Sequence, residues 1–172
     1  MAEALLRNRA EQAGIDMTVS SAGILFEGRA ATEEAVDTMA RRGIDLSAHR
    51  SRMLDAEMVR AADLVLGMER LHVREAIVLA QDTFGRTFTL KELIRRGESV
   101  GPREREPIEA WMATAAMGRK SLDLLGESAD DDVADPYRRS ARVYEATAVE
   151  LEDLIARLVD LLWGPISVDR PA

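Results

Sequence analysis

Asp63-Leu64-Val65-Leu66 decides the fold class. Three aliphatic residues follow one another without a polar break, the pattern of a strand buried on both faces. Helical patterns flank it. Asp55 is placed to cap a short helix reaching Ala62, and Glu69–Leu79 repeats apolar residues at helical spacing. A buried strand between two helices is the building unit of a parallel sheet covered by helices.

The same alternation continues outward. Ala2–Ala13 predicts a helix with Ala4, Leu5, Ala10 and Ala13 on its apolar side and Gly14 as its stop. Met17-Thr-Val-Ser-Ser-Ala-Gly23 predicts a short strand running into a loop, and Ile24–Ala31 an irregular stretch. Thr32 is a good N-cap for a helix that Arg41-Arg42-Gly43 ends, and Ile44–Met53 is a polar connection. Arg86–Leu90 is β-rich and predicts a third strand. Leu90–Arg96 predicts a short helix closed by Gly97, Glu98–Pro107 a loop, and Ile108–Leu124 a mostly helical segment. Glu127–Asp135 reads as an acidic loop. Arg142–Trp163 is the longest predicted helix, with Val143, Thr147, Leu151, Leu154, Leu158 and Leu161 on one face. The reading is an α/β domain over residues 1–163 with a small parallel sheet of three visible strands, and a loose tail over 164–172.

Composition narrows the classes. A length of 172 residues suits one domain. With 47% hydrophobic residues but only three Phe, two Tyr and two Trp, the core must be aliphatic. A formal charge of -8 argues against nucleic acid and anionic lipid as partners, although a few local cations can still build an anion site. There is no cysteine, so these residues contain no disulfide, no thiolate metal site and no thiol nucleophile. No apolar run approaches the ~20 residues of a membrane span, and the first helix lacks a signal-peptide core. The expectation is a soluble cytoplasmic protein that engages no membrane and no nucleic acid.

Four short stretches could carry chemistry: Met1-Ala-Glu-Ala-Leu-Leu-Arg7, Ser20-Ser-Ala-Gly23, Gly43-Ile-Asp-Leu-Ser-Ala-His-Arg-Ser-Arg52 and Asp135-Pro-Tyr137. Each alone has a bland reading. Asp135 can be a turn residue in a solvated acidic run, Tyr137 a ring packed at the start of a helix, and His49 an ordinary loop histidine. His72 has no motif and reads as a surface helix residue.

In this order and spacing, the four stretches resemble the low-molecular-weight protein tyrosine phosphatase family, from Met1 to about Leu162. The resemblance implies a three-layer sandwich, a small parallel sheet flanked by helices. It implies that Asp135 is the general acid, Tyr137 a pocket-wall aromatic that binds substrate, and Ser21 and His49 braces for a phosphate loop. Asp130, Asp131 and Asp132 are expected to favour the protonated form of that acid by like-charge repulsion, if close. Arg138 and Arg139 depart from the family pattern after Tyr137, either favouring anionic surroundings on a substrate or standing as exposed cations. No metal or other cofactor is implied, and the substrate is a phosphotyrosine protein or a small aryl phosphate.

The resemblance also places a strand and a Cys-x5-Arg loop ahead of a helix like Met1–Arg7, with that strand lying between Met17–Ser21 and Leu64–Leu66. Without a cysteine, the chain as given is expected to be inactive. A gene start assigned at an internal methionine is the favoured explanation, ahead of a truncation or a relative that lost the loop. Alternatives are a non-catalytic binding or scaffold protein, an arsenate reductase-like relative, and a helical interaction fragment. The sequence sets no oligomeric state.

Overall fold

Three threonine and aspartate caps start helices where the sequence places them. The structure is a computed structural model and describes residues 1–126 and 128–165. Helix α1 (Ala2–Gln12) opens the chain. Thr32 accepts a hydrogen bond from the Ala35 amide and begins α2 (Glu33–Ala40), and Asp55 accepts from Met58 and begins α3 (Ala56–Ala61). Strand β1 (Val65–Gly67), helix α4 (Arg70–Leu79) and a 3₁₀ turn over Gln81–Arg86 lead to strand β2 (Thr87–Thr89). Thr89 then caps α5 (Leu90–Val100), which is followed by α6 (Ile108–Ala115) and the long α7 (Ala141–Trp163).

The two strands pair in parallel, with Val65 opposite Thr87, Leu66 opposite Phe88 and Gly67 opposite Thr89. Alternation along the strands sends side chains to opposite faces. Leu64, Leu66 and Phe88 join the main core, built with α1, α2, α5 and α7. Val65 joins a smaller cluster of Val59 from α3, Ala76 from α4 and Ala80, which caps α4. Helices therefore cover both faces, which is the expected α/β three-layer sandwich. Of the predicted stripe, the long helix buries Thr147, Leu151, Leu154, Leu158 and Leu161 and leaves Val143 half-buried, and Ile155 and Val159 widen the buried face.

Several expectations fail for identifiable reasons. Met17–Ala22 has no regular secondary structure and forms no ladder; the one β contact of the stretch is the Gly23–Met53 bridge. A strand exists only through a paired neighbour, and among the described residues no strand lies beside Asp16–Ser21. The sheet thus has two strands, not three. For the same reason Leu64, Val65 and Leu66 are half-buried rather than buried.

Helix α5 does not stop at Gly97. That glycine lies inside it, where a Cβ would come 2.8 Å from two ring atoms of Trp111. Its job is close packing, and the stop is Gly101, at φ 92°. Ile108–Leu124 is helical only to Ala115 and again as a 3₁₀ turn over Ser121–Leu124. Arg119 between them lies buried, its guanidinium on Glu92 at 2.7 and 3.0 Å and 4.4 Å from the rings of both Phe84 and Phe88. In the predicted acidic loop Glu127 lies outside the described residues, as do residues 166–172 of the predicted tail.

Candidate active site

A cleft of about 620 Å³ opens beside the first turns of α1. Met1, Glu3 and Arg7 line it from the helix, Val19, Ser20 and Ser21 from the segment after it, and Asp45, His49, Arg50 and Arg52 from the connection after α2. Buried Leu46 anchors that connection. Asp45 shapes it, accepting from the Ser47 amide at 2.7 Å and hydroxyl at 2.9 Å. These bonds hold the Asp45 carboxyl below its ordinary value.

Glu3 ties the cleft together. Its carboxylate accepts from the Ser21 hydroxyl and from Arg7, which also donates to the Val19 carbonyl at 2.9 Å. Burial works against its charge. The hydrogen bonds from Ser21 and Arg7, with the nearby charges of Arg7 and His49, outweigh that and lower its pKa.

Asp135 lies in the exposed loop before α7. Its carboxylate accepts from the Tyr137 amide at 3.0 Å, an Asx turn that fixes the carboxyl against its own backbone. The Tyr137 ring faces Phe26 with centroids 6.3 Å apart at 53°, and both rings are partly exposed, at 39% and 37%. Arg29 stacks on Phe26 at 3.7 Å, and Arg138 lies 5.3 Å over Tyr137.

A paired strip joins the two regions. The Gly23 amide donates to Arg52, Gly28 to Ser51, and Ser51 back to Arg29, each at 2.8 Å. The strip that carries Phe26 and Arg29 is therefore zipped to the one that carries Arg50 and Arg52 into the cleft.

The family model for low molecular weight phosphotyrosine protein phosphatase matches residues 1–101. The chain belongs to this family. It is 32% identical to the protein-arginine-phosphatase of Bacillus subtilis, covering 94% of this chain and 87% of that one. It is likewise 32% identical to the probable low molecular weight protein-tyrosine-phosphatase EpsP of Ralstonia nicotianae, covering 96% and 84%. The crystal structure of the low molecular weight protein tyrosine phosphatase from T. tengcongensis superposes with a TM-score of 0.70 at 30% identity, covering 94% of this chain and 88% of that one.

Within this phosphatase fold, the four sequence-predicted residues fall into two places. Ser21 and His49 meet at the cleft. Asp135 and Tyr137 share the turn before α7. Ser21 donates to Glu3, so its observed partner is a side chain of α1.

The acidic run is not a block of like charge. Asp131 is buried and accepts from Arg70 and Arg95, while Asp132 accepts from the Arg70 and Ser128 amides at 2.7 and 2.8 Å. Burial opposes the Asp131 charge, but Arg95 and Arg70 hold its carboxyl below the ordinary value. Of the three acids expected to press on Asp135, Asp131 is thus neutralised by two arginines, and Asp132 is held by backbone amides that anchor the loop.

The sequence reading missed Glu3, Phe26 and Arg29. Glu3 and Arg7 stand four apart on a helix, a spacing that announces an ion pair. Leu25-Phe26 is an apolar pair inside a glycine-punctuated loop, the one available hint of an exposed aromatic wall.

No group of three or more His, Asp or Glu among the described residues is placed to hold a metal ion. No helix among them is long and apolar enough to cross a membrane.

Proposed function

We propose that these residues form the acid, pocket-wall and bracing parts of a phosphotyrosine phosphatase site acting on a cytoplasmic phosphoprotein or a small aryl phosphate. One observation carries the reading: Ser21 and His49, from segments far apart in sequence, line a single cleft at the start of α1. A helix start is where outward amides favour an anion.

In this chemistry a thiolate attacks phosphorus in line and the phenolate departs, leaving a cysteinyl phosphate. Asp135 gives the phenolate oxygen its proton, then takes one from the water that attacks the intermediate. Tyr137 and Phe26 wall the aryl ring. The 172 residues contain no cysteine, so the chain as given performs no such cycle.

A second reading is dephosphorylation of phosphoarginine, supported by the likeness to the Bacillus subtilis protein-arginine-phosphatase. A third is a binding protein on the phosphatase fold, supported by the missing thiol.

The purified chain is expected to show no turnover of phosphotyrosine or phosphoarginine peptides. Turnover abolished by Asp135→Asn overturns the inactivity. The same chain extended ahead of Met1 by a strand and a Cys-x5-Arg loop is expected to gain activity, and Asp135→Asn to lower its kcat by ~10²–10⁴-fold. An unchanged kcat removes Asp135 from the mechanism. The preferred phosphopeptide separates the tyrosine reading from the arginine one.

A further inference from the structure

We propose that Arg29 and Arg138, set on the faces of the Phe26–Tyr137 pair, select substrates whose phosphorylated residue is flanked by carboxylates. The inference rests on the phosphatase reading and names its substrate class more narrowly.

Four observations carry it. First, each guanidinium lies over a ring, Arg29 on Phe26 at 3.7 Å and Arg138 over Tyr137 at 5.3 Å, and the two rings face each other. A guanidinium stacked this way is held in place while its N–H edge stays open to an acceptor. Second, neither cation has a carboxylate partner among the described residues, whereas Arg7, Arg42, Arg70, Arg95, Arg96, Arg119 and Arg157 all do.

Third, Arg138 is the one non-glycine residue with positive φ among those described, at 60°. That conformation is unfavourable for a side chain with a Cβ, and here it accompanies a guanidinium lying over the preceding ring. Fourth, the cations continue into the cleft. Arg52 donates to the Ser21 carbonyl at 2.9 Å and Arg50 to the carbonyls of Ser47 and His49 at 3.0 and 2.7 Å. The paired strips thus present Arg29, Arg50 and Arg52 against the single acid Glu27, while the cleft they border is also lined by Glu3, Glu11 and Asp45, on a chain whose net charge is -8. Against that background a local positive rim is a directional signal for acidic peptide.

The test is fluorescence anisotropy on the 172-residue chain extended ahead of Met1 by a strand and a phosphate loop with serine in the cysteine position, using three labelled peptides: phosphotyrosine between glutamates, phosphotyrosine between serines, and unphosphorylated tyrosine between glutamates. The acidic phosphopeptide is expected to bind about fivefold tighter than the neutral one, as two exposed charge contacts allow. Raising salt is expected to shrink the difference. Arg29→Ala combined with Arg138→Gly is expected to bring the two within twofold, and the Arg29→Lys, Arg138→Lys pair to restore most of the gap. Glycine suits φ 60°, so that variant removes the cation without disturbing the turn.

Equal affinities for the two phosphopeptides overturn the proposal, as does an advantage the double variant leaves intact, or no binding of either. If the unphosphorylated acidic peptide binds as tightly as the phosphorylated one, the rim selects carboxylates but the phosphatase reading loses its support.

Discussion

The Ser21 hydroxyl donates to the Glu3 carboxylate, and through that bond the first helix is fastened to a segment that has no sheet partner of its own. Arg7 closes the same knot by donating to Glu3 and to the Val19 carbonyl. In place of a ladder, side chains hold Val19–Ser21 against α1.

Glu3→Gln is therefore expected to cost about 1–2 kcal/mol of stability in urea titration, and Ser21→Ala about 1 kcal/mol. The double variant should cost little more than Glu3→Gln alone, because both changes break one network. Strict additivity would show that the two residues act independently.

The buried pair of Glu92 and Arg119 should respond unequally to its two halves. The Arg119 side chain has 0% exposure and that of Glu92 has 5%. Removing the acid strands a buried guanidinium, so Glu92→Leu is expected to cost about 3–5 kcal/mol. Arg119→Met leaves Glu92 with Arg96, 3.0 Å away, and is expected to cost clearly less. Chemical denaturation of both variants checks the order, and a reversed order sinks the argument.

Gly97→Ala improves helix propensity yet is expected to destabilise by about 1–3 kcal/mol, since overpacking outweighs propensity here. The added Cβ meets two Trp111 ring atoms at 2.8 Å and a Leu161 methyl at 3.0 Å. Trp111→Phe in the same chain should recover part of the loss. Thermal melts that place Gly97→Ala above the parent would refute the contact.

Acid is expected to loosen the tie between α2 and α7. Arg42 and Arg41 hydrogen-bond Glu145 and lower its pKa from 4.5 to about 2. A depressed carboxylate contributes stability that is fully present above about pH 4.5 and is lost as pH falls through about 2. Between those values the Tm of the parent should fall more steeply than that of Glu145→Gln. Parallel curves would show that the pair contributes nothing measurable, and high salt should flatten the parent's curve.

The order of helices, their caps and the aliphatic stripe of α7 were legible in the chain itself, because each depends on residues a turn apart. Thr32 and Asp55 accept amides three residues on, and nothing distant is needed to satisfy them; Thr89, unread as a cap, does the same for α5. The family resemblance was legible for a related reason: four motifs keep their order and spacing in a linear string.

What tertiary structure alone decided is whatever depends on a neighbour far away in sequence. Met17–Ser21 has the composition of a strand, but pairing makes a strand, and among the described residues no strand lies beside it. Gly97 looked like a stop until Trp111 came to rest against it. Asp131 looked solvated until Arg70 and Arg95 closed over it. The same holds at the candidate site. Ser21 and His49 could be named from the sequence, but only the fold put them on one cleft. Only the fold, too, set Phe26 against Tyr137 with an arginine on each ring, because a contact spanning most of the chain leaves no local pattern in either partner.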